Sequence, residues 1–168
     1  MIQENQKWDK ILELIYDYPN ETFTVRRISK ETKVPISTIQ RYLKQLKKQG
    51  IIDKENKFCY NYYSKFLKAF FMINRLYKIG LVDHLEKELN PSLLVVFGSV
   101  RKGEYEKDSD IDLFIETTIE KDLDLKKFEK KLNHKIDLFV QPNLKRLHKN
   151  LLSNVLNGIK LSGYLDLE

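Results

Sequence analysis

The chain has 168 residues, enough for one ordinary domain or two small ones, and its 32% charged content with few Gly and Pro suits a compact, helix-rich soluble protein. Its single cysteine, Cys59, cannot pair within the chain, Met1–Glu4 lacks a positive n-region, and the longest apolar run, Ala69–Ile73, is too short to span a bilayer. A cytoplasmic protein with no membrane partner is therefore expected. The net charge of +6 is uneven: residues 1–65 hold 13 Lys+Arg against 8 Asp+Glu, and residues 66–168 hold 17 against 16. That asymmetry suits a module facing nucleic acid joined to a near-neutral one; a solvated lysine-rich surface is the plainer alternative.

Apolar positions Trp8, Ile11, Leu12, Leu14 and Ile15 predict an amphipathic helix ending near Tyr18-Pro19-Asn20. Phe23-Thr24-Val25 reads as a short extended piece before a second helix over 26–32. Val34-Pro35-Ile36 interrupts the pattern, since proline disfavours a helical residue before it. Ser37 is then the expected N-cap of a third helix to about Gln49, with Gly50 as its C′ residue. Ile39, Tyr42, Leu43 and Leu46 form that helix's inward stripe, leaving Thr38, Gln40, Arg41, Lys44, Lys47 and Lys48 outside. Ile51-Ile52-Asp53 and Phe58–Tyr62 flank a polar tip and predict two short strands of a hairpin. Cys59, with no second cysteine or histidine beside it, reads as an ordinary packing residue.

The order of parts over residues 5–63, carried by Ile28–Thr32, Val34-Pro35-Ile36, Ser37–Gln49 and Gly50-Ile51-Ile52, resembles the winged helix-turn-helix family of DNA-binding domains. The resemblance makes 37–49 the recognition helix, with Ser37, Thr38, Gln40 and Arg41 at base edges of double-stranded DNA. Gln40 and Arg41 are the base readers it implies. Arg26, Arg27, Lys44 and the lysines of the hairpin are then phosphate contacts. A merely solvated basic face, or a winged helix reused for protein contacts, is the competing reading.

Residues 64–90 form a helical connector: a strongly apolar helix from Ser64 to Ile79, Gly80, and a second helix Leu81–Leu89 stopped by Asn90-Pro91. A helix apolar over so wide an arc needs two partners, and a homodimer or a simple interdomain helix supplies them equally well. From residue 91 the expected order is strand 93–97, turn and short helix, strand 111–116, helix about 121–133, strand 135–140, and helical segments to the end. That alternation predicts an α/β or α+β layer with a small mixed sheet, and with the helical N-terminal part an α+β chain.

Within it, Phe97-Gly98-Ser99 delivers a Gly-Ser turn after an apolar strand, and Asp110-Ile111-Asp112 opens the next apolar run. Residues two apart on a strand share a face, so Asp110 and Asp112 point the same way. Two acids so placed repel one another unless a cation lies between them, and a divalent metal is the usual one. The turn's N–H groups and the Ser99 hydroxyl suit phosphate. Ile-Asp-Leu-Phe occurs at 111–114 and again at 136–139, so if both are strands of one sheet Asp137 matches Asp112 and completes a carboxylate trio. His84, His134 and His148 have no ligand spacing and read as ordinary histidines. The Lys126-Lys127 and Lys130-Lys131 pairs read as a solvated helix face.

Phe97-Gly98-Ser99-Val100-Arg101-Lys102-Gly103-Glu104-Tyr105, Asp108–Ile115, Asp137 and the tail Asn157–Gly163 together resemble the minimal nucleotidyltransferase branch of the DNA polymerase beta-like superfamily. Arg101, Lys102 and Tyr105 depart from it, standing where the family often has a small residue, an arginine and another small residue. The resemblance implies that Asp110, Asp112 and Asp137 are catalytic and hold two Mg²⁺ ions, with Mn²⁺ able to substitute. Gly98, Ser99 and Lys102 would bind the phosphates of an NTP, ATP first among them. The implied reaction is NMP transfer to a hydroxyl of a protein or RNA, antitoxin-like, with a toxin as cognate partner and operator binding giving autoregulation. The alternative is a DNA-binding transcriptional regulator whose nucleotidyltransferase-like domain senses nucleotide, or binds a partner, without turnover. The expected division is 1–63 winged helix-turn-helix, 64–90 connector and 91–168 nucleotidyltransferase domain.

Overall fold

Helix and strand placement follows from a computed structural model that describes residues 2–165, with side chains from residue 6 onward. The chain divides into two compact units, Met1–Leu67 and Lys68–Glu168.

In the first unit, α1 (Ile2–Asp17) buries Ile11, Ile15 and Tyr16. Trp8 sets its edge on Tyr42 at 4.7 Å and Tyr16 on Phe58 at 5.6 Å, the T-shaped geometry aromatic quadrupoles prefer. α2 (Val25–Thr32) starts on Thr24, whose Oγ1 accepts the Arg27 N–H at 3.1 Å, the reach of an N-cap. Its end is tied by side chains: Ser29 Oγ donates to Val34 O at 2.8 Å and Thr32 Oγ1 to Ile28 O at 2.7 Å. α3 (Ile36–Lys48) buries the expected stripe of Ile39, Tyr42, Leu43 and Leu46.

Two expectations change here. Ser37 is not the N-cap: α3 begins at Ile36 on Pro35, with no side-chain cap, and Ser37 lies exposed in the first turn. Pro35 has its φ preset by the ring, at −59°, which suits the entry to a helix even without a capping side chain. The hairpin is not two strands but a single bridge, Ile52↔Phe58. Asp53 closes the tip locally, its carboxylate accepting the Lys57 N–H at 2.8 Å, and Asn56 Nδ2 donates to Phe23 O at 2.7 Å. These side-chain bonds, one local and one reaching back to Phe23, replace the ladder that longer strands would form.

α4 (Tyr62–Lys78) crosses from the first unit into the second. α5 (Leu81–Leu89) follows, then β1 (Leu93–Val96), α6 (Gly98–Lys102), β2 (Ile111–Glu116), α7 (Lys126–Leu132), β3 (Ile136–Gln141), a 3₁₀ turn Leu144–Arg146, α8 (Lys149–Leu156) and β4 (Ile159–Gly163). The sheet order is β3-β2-β1-β4, with β1 antiparallel to both neighbours and β2 parallel to β3. One face carries Leu93, Val95, Phe97 and Phe114 under Leu144 and Val155, with Phe139, Leu147, Leu151 and Leu152 packed against them. The other buries Leu94, Val96, Leu113 and Ile115; α5 and α7 each have a buried side and touch one another through His84 and Phe128 at 5.0 Å.

Two more expectations are corrected. α7 starts at Lys126 rather than near 121, because the Asp124 carboxylate accepts the Lys126 N–H at 3.0 Å and Lys121 pairs with Glu88 on α5. The tail is not wholly helical: β4 pairs with β1, where Gly158 passes so close that a Cβ there would overlap Val95. Among the described residues, no helix is long and apolar enough to cross a membrane.

Candidate active site

The site begins where β1 ends. Phe97 is extended, its N–H donates to Asp112 O at 3.1 Å, and the chain turns at Gly98 with φ +65° into α6. Gly98 is required twice over. Left-handed φ disfavours a side chain, and a Cβ would overlap Asp112 Oδ2, so the carboxylate rests directly against the turn's backbone. Ser99 is half-buried beside it, Val100 anchors α6 in the interior, and Arg101 and Lys102 are exposed.

The parallel β2–β3 register sets Ile111 opposite Ile136, Asp112 opposite Asp137, Leu113 opposite Leu138 and Phe114 opposite Phe139. The repeated tetrapeptide is therefore a repeated position in the sheet. Asp112 is half-buried and Asp137 exposed on the edge strand, while Asp110 is half-buried two residues before Asp112. Burial raises the Asp112 carboxyl above the ordinary carboxylate range, and the charges of Asp137 and then Asp110 raise it further. No salt bridge within the described residues neutralises any of the three acids.

The trio is brought to one end of one sheet face without closing. Among the described residues, no three His, Cys, Asp or Glu side chains stand as a ready metal-ligand group. The donor set nonetheless fits a hard divalent cation in its chemistry: three carboxylates, mutually repelling, with Asp112 left to bear the cost of that repulsion.

The loop before Asp110 is fixed by a residue that sequence spacing passes over. His134 is buried, and its Nδ1 lies 2.9 Å from Ser109 O; a carbonyl only accepts, so this nitrogen carries the proton. Ser109 Oγ accepts the Glu106 N–H, the Ile111 N–H donates to Lys135 O at 2.9 Å, and Lys107 Nζ donates to Asn133 O at 3.0 Å. A cleft of about 520 Å³ lies behind this loop, between Lys107, Asp108, Asp110, Glu129 and His134. The His134 and buried Tyr105 rings meet edge to face at 5.7 Å, and the Lys68 ammonium lies over the Tyr105 ring at 4.7 Å. The signal for His134 is its place between α7 and β3, two residues before the strand, which has no motif of its own.

In the first unit, the outer face of α3 presents Ser37, Gln40, Arg41 and Lys44 to solvent at helical spacing, with Thr38 half-buried beside them. Arg26 is exposed. Arg27 is engaged: Glu21 holds it at 2.6 Å and Glu31 at 2.7 Å, and its guanidinium lies 4.7 Å over Phe23.

Residues 80–161 match the family model described as nucleotidyltransferase domain, and residues 19–66 the one described as sugar-specific transcriptional regulator TrmB. No curated protein and no solved structure matches the chain. The chain is thus an α+β protein in which a TrmB-type winged-helix DNA-binding domain precedes a nucleotidyltransferase domain.

Proposed function

We propose that the second unit transfers a nucleoside monophosphate from an NTP to an acceptor hydroxyl, releasing pyrophosphate, and that the first unit ties this activity to operator DNA. The carrying observation is the register of Asp112 opposite Asp137, beside a glycine turn built against the Asp112 carboxylate. Asp110, Asp112 and Asp137 are the residues that would hold Mg²⁺, or Mn²⁺ in its place, and the metal supplies charge neutralisation at the phosphates. Gly98 and Ser99 offer N–H and hydroxyl donors to the outer phosphates, with ATP the first candidate, and Lys102 adds positive charge at their rim. Asp137, exposed on the edge strand, would receive the proton leaving the acceptor hydroxyl. An antitoxin-like modifier that represses its own operon unites both domains.

The test is label transfer from each α-labelled NTP with Mg²⁺, alone and with partner proteins or RNA. Asp112→Asn and Asp137→Asn are each expected to lower transfer by about a hundredfold or more. Unchanged transfer in Asp112→Asn would remove these carboxylates from the reaction.

The open spacing of the trio favours a second reading, a regulator that binds nucleotide without turnover. It predicts NTP binding with no pyrophosphate released under any acceptor.

A further inference from the structure

Between Asp137 and Asp166 the chain has no acidic residue, although it has 24 overall, and this stretch holds Lys145, Arg146, Lys149 and Lys160. All four are exposed, and none pairs with a described carboxylate. The stretch crosses the sheet face that bears the carboxylates. Leu144 N donates to Glu116 Oε2 at the far end of β2, Leu147, Leu151, Leu152 and Val155 pack the middle, and Ile159 pairs with Val96 beside the Gly98 turn. α8 therefore runs from the end remote from Asp112 toward the end that holds it, about 12 Å at the helical rise for its length.

The outer face of α8 is unusual for a solvated helix. Asn150, Ser153, Asn154 and Asn157 stand exposed at i, i+3, i+4 and i+7, where α7 carries Lys and Glu. Asn and Ser are poor helix formers, so solvation alone does not account for the stripe. Amides and hydroxyls between cations are the groups that contact phosphate, sugar and base edges. Along the described stretch 145–160 Leu156 is the one large apolar side chain that stands exposed, at 43%, where a protein partner would call for a cluster of apolar anchors.

Resting on the transfer reaction above, we propose that the 145–160 segment docks the acceptor, and that the acceptor is the free end of a single-stranded nucleic acid. Its phosphates lie on Lys145, Arg146 and Lys149, its sugars and bases on the amide stripe, and its terminal hydroxyl near Lys160 and the carboxylates. There the hydroxyl oxygen bonds to the α-phosphorus of the NTP, the α–β phosphoanhydride breaks, pyrophosphate leaves, and the hydroxyl proton passes to Asp137.

The test uses the full chain, saturated with unlabelled duplex DNA to occupy the winged helix, and fluorescent single strands of about 12 nucleotides in ribo and deoxyribo forms, which distinguish the two sources of this phosphate chemistry. Lys145→Ala/Arg146→Ala/Lys149→Ala is expected to bind strands at least tenfold more weakly. Its plot of log affinity against log salt should be shallower by about 2, at roughly 0.7 per lost phosphate contact. Asn150→Ala/Asn154→Ala should also weaken binding while its melting temperature stays level or rises, because alanine favours helix. Both variants should bind a fluorescent NTP as the unsubstituted protein does, and Lys126→Ala/Lys127→Ala/Lys130→Ala on α7 should bind strands normally. Undiminished strand binding in the first variant, an equal loss in the α7 control, a matching loss of NTP binding, or label found on a partner protein and never on a strand each overturns the proposal. Asp112→Asn separates the two readings: it should lose transfer and keep the strand, so transfer surviving there counts against the carboxylate site, not against this surface.

Discussion

At Asp112 one carboxylate sits between two others, with the Gly98 backbone against it, and its raised pKa makes the site legible in a melting experiment. Because the native state binds this proton more tightly than the unfolded chain does, the contribution to stability is greatest in acid. It is lost as pH rises from the ordinary aspartate value of about 4 through the raised native one. Asp112→Asn should therefore melt higher than the unsubstituted protein at pH 7, with the difference closing below that window. Mg²⁺ should raise the melting temperature of the unsubstituted protein and leave Asp112→Asn unmoved. A lower melting temperature for Asp112→Asn at pH 7, with no Mg²⁺ response in either protein, would show that the acids are not held in mutual repulsion. Gly98→Ala meets both a left-handed φ, costing roughly 1–2 kcal/mol, and the Asp112 oxygen. Displacing that carboxylate by about an ångström should lower transfer by about a hundredfold, with native circular dichroism retained.

At the scale of elements, α3 and the β2–β3 pair carry the two functions. α3 was readable because its stripe, its preceding proline and its closing Gly50 coincide, while its start was misread because serine is the commoner cap and Pro35 the actual one. Arg41→Ala/Lys44→Ala should weaken binding to the upstream duplex, Arg41 through the lost base contact, and flatten the salt dependence by about 1, at roughly 0.9 for the one phosphate contact of Lys44. An unchanged slope would mean the outer face of α3 does not meet the phosphates. In the sheet, Phe114 is fully buried between Phe97, Phe139 and the α8 side. Phe114→Ala should cost about 3–5 kcal/mol, read by urea unfolding, since its neighbours come from four separate elements and cannot collapse together into the space.

For the molecule as a whole, two compact units hold two separate groups of functional residues, and each should survive loss of the other. Arg41→Ala/Lys44→Ala is expected to retain full label transfer, and Asp112→Asn full duplex binding, in paired assays on the same preparations. What the sequence determined by itself was local: the helical stripes, the Gly-Ser turn, the Asp-x-Asp pair and the repeated Ile-Asp-Leu-Phe, each set by periodicity or backbone sterics within a few residues. Tertiary structure decided what depends on partners far along the chain. β4 exists because it completes the free edge of β1, more than sixty residues upstream, and nothing in its own five residues requires a strand. His134 holds the Asp110 loop because β3 lies parallel to β2 in one register, bringing Ser109 and His134 together across 25 residues. The same register turns a repeated tetrapeptide into opposed carboxylates, since strand pairing aligns whole hydrogen-bonding rows and fixes every side chain along them at once.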